Sequence, residues 1–204
     1  MTVAVTGPFA CGKSTFVRML GELGAETASA DGIVHDLLAR DPETISRIVG
    51  RFGEEVRGEE GIDRKALGRK VFGDAGALKD LEDLLHPRVR QETDRLSDAS
   101  EAPVFAVEIP LLFEGGGSGR FDLTVAVVTP DGRRRGWAEE RGVGEDQRRA
   151  IEQRQLSGEE KARRADLVVV NDAGLDKLRG QAEETWKSVL DIRGSGYGTS
   201  KKEA

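Results

Sequence analysis

The chain has 204 residues, of which 37% are apolar and 33% are charged, and its formal net charge is −6. This composition fits one α/β domain with an insertion, in which a hydrophobic core lies under a heavily charged surface. The acidic balance argues against wholesale nucleic-acid binding, because it offers no global positive field, although a local basic cluster could still bind an anionic small molecule.

The cysteine content and the hydropathy indicate a cellular compartment. The single cysteine, Cys11, cannot form an intrachain disulfide, which fits a reducing environment. No run of about 18 apolar residues predicts a membrane helix, and no basic-then-apolar signal segment precedes the first strand. We therefore expect a cytoplasmic protein without nucleic-acid or membrane partners, as a monomer or a weak homo-oligomer.

The first third of the chain predicts two strands separated by a helix. An apolar run within residues 2–6 lacks polar alternation, which is typical of a buried parallel strand, and it ends at Gly7. Residues 13–23 place apolar side chains on one helical face. A weaker strand covers residues 25–30 and ends at Asp31.

Residues 33–99 are predicted to be mostly helical. Apolar residues at helical spacing predict four segments, at 33–38, 45–52, 63–86 and 87–97. Asp63 is placed to cap the third segment, and the His86-Pro87 pair is expected to separate the last two. The block is too long for a plain crossover between two strands, so we interpret it as an inserted helical subdomain.

The rest of the chain returns to alternating strands and helices. Strands are predicted at 103–109, 123–128 and 167–170, with a glycine-rich loop at 115–119. Residues 131–164 are predicted to be helical and carry many arginines, most of which should be solvated or paired with nearby glutamates. A C-terminal helix begins near Leu175, and the tail at 193–204 is predicted to be disordered.

The alternation of strands and helices predicts an α/β fold with a parallel five-stranded sheet flanked by helices. Ligands of such sheets bind at the carboxyl ends of the strands. Gly7, Asp31, Pro110 and Asn171 all follow predicted strands, so we expect one shared cleft.

The strongest functional signal lies between the first strand and the first helix. There the chain matches the P-loop motif G-x-x-x-x-G-K-[ST] with Gly7, Pro8, Phe9, Ala10, Cys11, Gly12, Lys13 and Ser14. Backbone N–H groups of such a loop bind phosphate, Lys13 would reach the β and γ phosphates, and Ser14 would bind Mg²⁺. We assign this segment, together with Thr15, to ATP binding, against the alternative of a chance match.

Four residues, one of them inside the motif, keep two interpretations each. Asp31 could accept a proton from an attacking hydroxyl or could cap the helix that follows it. Glu108, at the end of an apolar strand, could hold a Mg²⁺-bound water or pair with a basic residue. Cys11 could be a reactive thiol or a small filler, and His86 could contact a ligand or be structural.

Taken together, these motifs resemble those of the dephospho-CoA kinase family. The resemblance extends from residue 3 to about residue 186 and rests on segments 6–14, 30–33, 84–87, 109–114, 160–166 and 171–174, together with Gln155. It implies transfer of the ATP γ-phosphate to the ribose 3′-hydroxyl of dephospho-CoA, giving CoA and ADP. ATP and dephospho-CoA are then the implied partners and Mg²⁺ the implied cofactor.

The resemblance also implies roles for particular residues. Asp31 matches the catalytic base, and Lys13 and Ser14 match the phosphate and magnesium positions, with Glu108 as the second metal-site residue. The residues assigned to the acceptor are Asp31, His35, His86, Pro110, Leu111 and Leu112. Asn171 matches the loop near adenine, and Arg141 is assigned as a catalytic arginine.

The same resemblance implies a domain organisation. Residues 1–32, 100–130 and 165–192 would form the P-loop core. Residues 33–99 would form the helical CoA-binding insertion, and residues 131–164 would form the lid.

The chain departs from the family pattern at several positions. Residues that differ from the usual ones are Pro8, Phe9, Ala10, Cys11 and His35. The family's paired lid arginines, four residues apart, do not align cleanly with Arg141. These departures keep two alternatives open, a catalytically weak nucleotide-binding paralogue and a nucleoside monophosphate-type kinase.

Overall fold

The structure is a computed structural model, and it describes residues 1–195. The chain divides into two compact units, of which the first combines Met1–Ala28 with the residues from Ser100 onward, and the second is Ser29–Ala99. Most of the tail predicted to be disordered, residues 196–204, lies outside the described residues.

The described residues form seven strands, nine helices and two short 3₁₀ turns. The strands are β1 (Thr2–Thr6), β2 (Glu26–Ser29), β3 (Arg57–Gly58), β4 (Gly61–Ile62), β5 (Phe105–Glu108), β6 (Leu123–Val128) and β7 (Leu167–Val170). The helices are α1 (Lys13–Glu22), α2 (Ala30–Arg40), α3 (Pro42–Phe52), α4 (Arg64–Val71), α5 (Ala75–Ala99), α6 (Asp131–Glu140), α7 (Glu145–Glu152), α8 (Gly158–Arg164) and α9 (Leu175–Gly194). Helix α9 thus continues past residue 192, where the core was predicted to end.

The first unit is built on a five-stranded sheet in the order β2-β5-β1-β6-β7. Strand β1 is central and fully buried, and it pairs in parallel with β5 and β6, while β6 pairs in parallel with β7. Apolar residues of β1 and β6 pack with α1 and α9, including Phe16 and Leu178. The predicted α/β fold with a parallel five-stranded sheet is confirmed.

Four helices and a short hairpin form the second unit. Helix α3 begins where the Asp41 carboxylate accepts the Thr44 N–H, and Asp63 caps α4 as predicted by accepting two backbone N–H groups. The β3-β4 hairpin was not predicted. Gly61 makes it possible, because its φ is +92° and a Cβ there would lie 2.4 Å from the Leu38 carbonyl oxygen.

Helix α5 corrects the prediction of two helices that meet at His86-Pro87. It runs without interruption through Ala75–Ala99 with Pro87 inside it. A proline removes one backbone hydrogen bond and strains the preceding turn. Helix α5 packs against α2, α3 and α4, and we attribute its continuity to these tertiary contacts, which outweigh the local penalty.

Residues 131–164 form three short helices, α6, α7 and α8, with few buried side chains. Many of their arginines pair with glutamates, as expected. Arg148, for example, contacts both Glu145 and Glu152. Hydrogen bonds from Arg148, and to a smaller extent from Arg149, lower the pKa of Glu145 to about 2. Within residues 1–195, no helix is long and apolar enough to cross a membrane.

Candidate functional site

The loop between β1 and α1 has a backbone conformation that requires glycine at two positions. Gly12 has a φ of +93°, and a Cβ there would lie 2.4 Å from Asn171 Nδ2. A Cβ on Gly7 would lie 2.1 Å from the Val127 carbonyl oxygen. Ala10 also adopts a positive φ, 57°, which is uncommon for a residue with a side chain. The loop therefore turns tightly with little space beside its backbone.

The N-terminus of α1 is open to an anion. Its N-cap is Gly12, no side chain caps it, and its first turn contains no acidic residue. The first N–H groups of a helix have no partner within the helix, and the helix dipole favours negative charge there. Phosphate oxygens are suitable partners for them. The geometry at Gly12 thus matches what the motif predicts.

Lys13 is buried and held by the loop itself. Its ammonium donates to the Pro8 carbonyl at 2.9 Å, and 7% of the residue's surface is exposed. Since the ammonium reaches back over the loop, a phosphate bound in the loop could take the place of the carbonyl as its partner.

Two side chains from the ends of neighbouring strands support the Cys11 carbonyl. Thr129 Oγ1, just after β6, donates to it at 2.8 Å, and Asn171 Nδ2, just after β7, donates to it at 3.0 Å. Asn171 therefore supports the loop backbone, and its predicted position near adenine stays a prediction. The carboxyl ends of β1, β6 and β7 meet at this loop, as expected for a parallel sheet.

The Cys11 side chain favours the interpretation as a small filler. The residue has no exposed surface, and burial raises the pKa of its thiol, although the Lys13 ammonium opposes that shift. A thiol that keeps its proton is a poor nucleophile. Cys11 therefore fills space beneath the loop.

The unusual Pro8-Phe9 segment contacts the arginine-bearing helices. The Phe9 N–H donates to Gln155 Oε1 at 2.8 Å, and Arg134 Nη1 donates to the Phe9 carbonyl at 3.3 Å. Asp131 and Glu152 hold the same guanidinium at 2.5 and 2.7 Å. Sequence reasoning did not single out Arg134. One signal was available for it. Arg134 lies near the start of the helix after β6, at the same sheet edge as the loop.

Arg141, the arginine assigned to catalysis, lies elsewhere. It is exposed and follows the C-terminal end of α6. Among the described residues its guanidinium has no ion-pair or hydrogen-bond partner. The structure thus places Arg134 against the phosphate loop, and the role of Arg141 stays a prediction.

Ser14 and Glu108 lie close together, and each has a side-chain oxygen that could ligate a metal ion. Ser14 Oγ donates to Glu108 Oε1 at 3.1 Å, because the register of β1 and β5 sets Glu108 beside Val5. The partner of Glu108 is therefore a hydroxyl and not a basic side chain. Hydroxyl and carboxylate oxygens suit Mg²⁺, which usually takes few protein ligands and completes its shell with phosphates and water.

The segment after β5 contains both accessible and buried residues. Pro110 and Leu111 are half-buried, but Leu112 is 1% exposed and belongs to the core. The assignment of all three residues to the acceptor stays a prediction. The Pro110 carbonyl accepts a hydrogen bond from the fully buried Lys161 at 2.7 Å, a contact that sequence reasoning did not assign.

The remaining predicted residues lie in the second unit. Asp31 is exposed in the first turn of α2, and the N-cap of that helix is Ser29, whose hydroxyl accepts the Gly32 N–H at 3.0 Å. Capping by Asp31 is therefore wrong. His35 Nδ1 contacts Arg64 Nη1 at 3.3 Å, while His86 is exposed in the middle of α5 and not at a helix junction.

The second unit also contains a cavity of about 560 Å³ between α2 and α5. Its charged and polar lining residues are Asp36, Arg40, Asp41, Arg88, Gln91, Glu92 and Arg95. Arg88 bonds to Asp41 at 2.8 Å, yet its buried Nε has no hydrogen-bond partner within residues 1–195. An unpaired buried donor is costly, so an acceptor oxygen bound in this cavity would be stabilised.

Known proteins resemble this chain over nearly its whole length. A sequence profile of the family described as dephospho-CoA kinase matches residues 1–177. A dephospho-CoA kinase of Chlorobaculum tepidum is 35% identical over 201 residues, which covers 94% of this chain and 96% of the relative. A crystal structure of a Thermus thermophilus protein is 33% identical with a TM-score of 0.77, and the match covers 94% of this chain and 96% of the Thermus thermophilus chain. A Campylobacter jejuni dephospho-CoA kinase structure is 28% identical with a TM-score of 0.61, covering 92% of this chain and 96% of its own. The chain therefore belongs to the dephospho-CoA kinase family.

Proposed function

We propose that this chain transfers the γ-phosphoryl group of ATP to the ribose 3′-hydroxyl of dephospho-CoA, which yields CoA and ADP. Membership of the family supports the reaction. The observation that carries the proposal is the complete phosphate loop, with an uncapped helix N-terminus, Lys13 at its centre and the Ser14-Glu108 pair beside it. The lone, buried Cys11 is consistent with a reducing compartment such as the cytoplasm.

The phosphate loop would bind the triphosphate and stabilise the charge that develops during transfer. Backbone N–H groups around Gly12 bind phosphate oxygens, and Lys13 exchanges its bond to Pro8 for one to phosphate. Phosphoryl transfer has little covalent chemistry for the protein to perform, so positioning and charge stabilisation dominate. Arg134, which already donates to the Phe9 carbonyl of the loop, is our candidate among the lid arginines.

Ser14 and Glu108 would hold the magnesium ion. When bound, Mg²⁺ neutralises charge on the β and γ phosphates and orients them. Ser14 Oγ would act as a direct ligand, and the Glu108 carboxylate would ligate the ion or one of its waters. Their 3.1 Å contact supports this pairing, because both oxygens converge on one point at the mouth of the loop.

We assign the acceptor to the second unit. Asp31 would accept the proton of the 3′-hydroxyl as that oxygen attacks phosphorus, and its exposure leaves the carboxylate available for this role. The cavity lined by Arg40, Arg88 and Arg95 would bind the anionic part of dephospho-CoA, since guanidinium groups pair well with phosphate oxygens.

The proposal is tested by the choice of acceptor. ADP release from ATP and Mg²⁺ is measured with dephospho-CoA, with adenosine, with AMP and with no acceptor. We expect turnover with dephospho-CoA alone. Nucleotide binding without turnover would support a catalytically weak paralogue, and a preference for AMP would support a nucleoside monophosphate-type kinase, so either result would refute the proposal.

The role of Asp31 has a separate test. Asp31→Asn should lower kcat by at least ~10²-fold, the scale of a lost general base, with ADP affinity unchanged. Asp98→Asn, an exposed aspartate near the end of α5, is the matched control and should leave kcat as it is. Near wild-type turnover of Asp31→Asn would remove Asp31 from the mechanism.

A further inference from the structure

Lys161 is a buried cation without an assigned role. No part of it is exposed, and its ammonium donates to the Pro110 carbonyl at 2.7 Å and pairs with the Glu114 carboxylate at 2.8 Å. It also lies 3.4 Å from Thr6 Oγ1. Lysine is among the residues least often fully buried, so its place here requires a reason beyond surface charge.

The partners of Lys161 come from two segments, the end of β1 and the segment after β5, while Lys161 itself belongs to α8. Thr6 is the last residue of β1, directly before the phosphate loop, and its hydroxyl also donates to the Pro110 carbonyl at 3.3 Å. Glu114 accepts the N–H of Leu156 at 2.7 Å, on the turn that leads into α8. We call Thr6, Pro110, Glu114 and Lys161 the Lys161 cluster. It joins the phosphate loop, the segment after β5 and the arginine-bearing helices.

Stability alone does not account for the cluster. Burial lowers the pKa of Lys161, the Glu114 carboxylate opposes that shift, and the neighbouring Lys13 ammonium adds to it. A buried ion pair often gives no more stability than apolar side chains of similar volume. What apolar side chains could not provide is a directional bond to the Pro110 carbonyl.

We propose that Lys161 is a positioning residue for phosphoryl transfer, which fixes the segment at Pro110 and Leu111 relative to the phosphate loop. The inference rests on the proposed function and on the assignment of Pro110 and Leu111 to the acceptor that the family resemblance implies. Lys161 is too deeply buried to touch either substrate. Its effect therefore passes through the Pro110 carbonyl and Thr6, and it should alter the rate of transfer more than the affinity for nucleotide, since small displacements of reacting groups cost rate.

The test variant combines Lys161→Met with Glu114→Gln. It leaves no unpaired buried charge, and the amide oxygen introduced at position 114 can still accept the Leu156 N–H. We therefore expect the double variant to fold. We expect kcat with dephospho-CoA to fall at least about tenfold, while the Kd for ADP changes by less than about threefold. The matched control is Lys79→Met with Asp83→Asn, an exposed lysine-aspartate pair on α5, which should keep kcat.

Several outcomes would overturn the inference. A folded double variant with wild-type kcat would show that the pair is structural only. A second variant, Thr6→Val, keeps the side-chain shape and introduces no charge, so it covers the case in which the double variant fails to fold. It should lower kcat by about threefold with ADP affinity intact, and a wild-type kcat would again overturn the inference. A wild-type chain that transfers nothing to dephospho-CoA would instead refute the proposed function, and the inference with it.

Discussion

The Cys11 carbonyl offers a quantitative test of how the sheet supports the phosphate loop. It is buried and accepts two side-chain hydrogen bonds, from Thr129 at 2.8 Å and from Asn171 at 3.0 Å. Thr129→Val and Asn171→Leu each replace one donor by an apolar group of similar shape. Each single change should cost about 1 kcal/mol in the free energy of unfolding, because the carbonyl keeps its other partner.

The double variant should cost more than the sum of the two. It leaves the buried carbonyl without a side-chain donor, which adds about 1–3 kcal/mol for an unsatisfied acceptor. The total is then about 3–5 kcal/mol, with a coupling energy of about 1–3 kcal/mol. Since the same carbonyl belongs to the phosphate loop, the Kd for ADP should rise most in the double variant.

Urea unfolding followed by tryptophan fluorescence measures these free energies. Trp137 and Trp186 both belong to the first unit, so their emission reports the unit that contains the loop. The four chains of the cycle are compared at a common m-value. Costs that add within about 0.5 kcal/mol would refute the reasoning, because the carbonyl would then not depend on these two donors.

Three further predictions follow from the site. Gly12→Ala should abolish nucleotide binding, since its Cβ would lie 2.4 Å from an amide nitrogen at a positive φ, whereas Gly180→Ala, in open space on α9, should stabilise by about 0.5–1 kcal/mol. Isothermal titration with ADP and thermal melts measure the pair, and intact binding in Gly12→Ala would contradict the assignment. Cys11 should resist iodoacetamide at pH 8 until urea unfolds the chain. Burial raises the pKa of this thiol above its ordinary value of 9.0, so the folded chain keeps the proton at pH values where the unfolded chain loses it. The contribution of Cys11 therefore makes the free energy of unfolding fall as pH rises past 9.0. Fast alkylation of the folded chain would contradict the burial of Cys11. Glu108→Gln should raise the Mg²⁺ concentration needed for half-maximal turnover by about tenfold or more, and an unchanged magnesium titration would exclude Glu108 from the metal site.

The sequence predicted the features that local chemistry determines. The loop frame at Gly7 and Gly12 was predictable because a tight turn against a neighbouring strand leaves no room for a Cβ. Ala10, by contrast, takes a positive φ that its identity did not predict, because residues with a side chain rarely adopt it. Buried strands such as β1 were also evident from unbroken apolar runs.

Features that depend on distant partners were not predictable. Pro87 indicated a helix end, but the packing of α5 against three helices outweighs that local preference. Asp31 and Ser29 are both good capping residues, and only the backbone geometry of α2 selects Ser29. Arg134 and Lys161 find their partners across long sequence separations, so spacing gave no signal for either.

Identification of the product shows directly whether the chain phosphorylates the ribose 3′-hydroxyl of dephospho-CoA. The chain is incubated with ATP, Mg²⁺ and dephospho-CoA, and the phosphorylated product is separated and located by ³¹P and ¹H NMR. We expect one new phosphomonoester, on the ribose 3′-oxygen, formed together with an equal amount of ADP. A phosphate at another position, or ADP release that does not depend on dephospho-CoA, would contradict it.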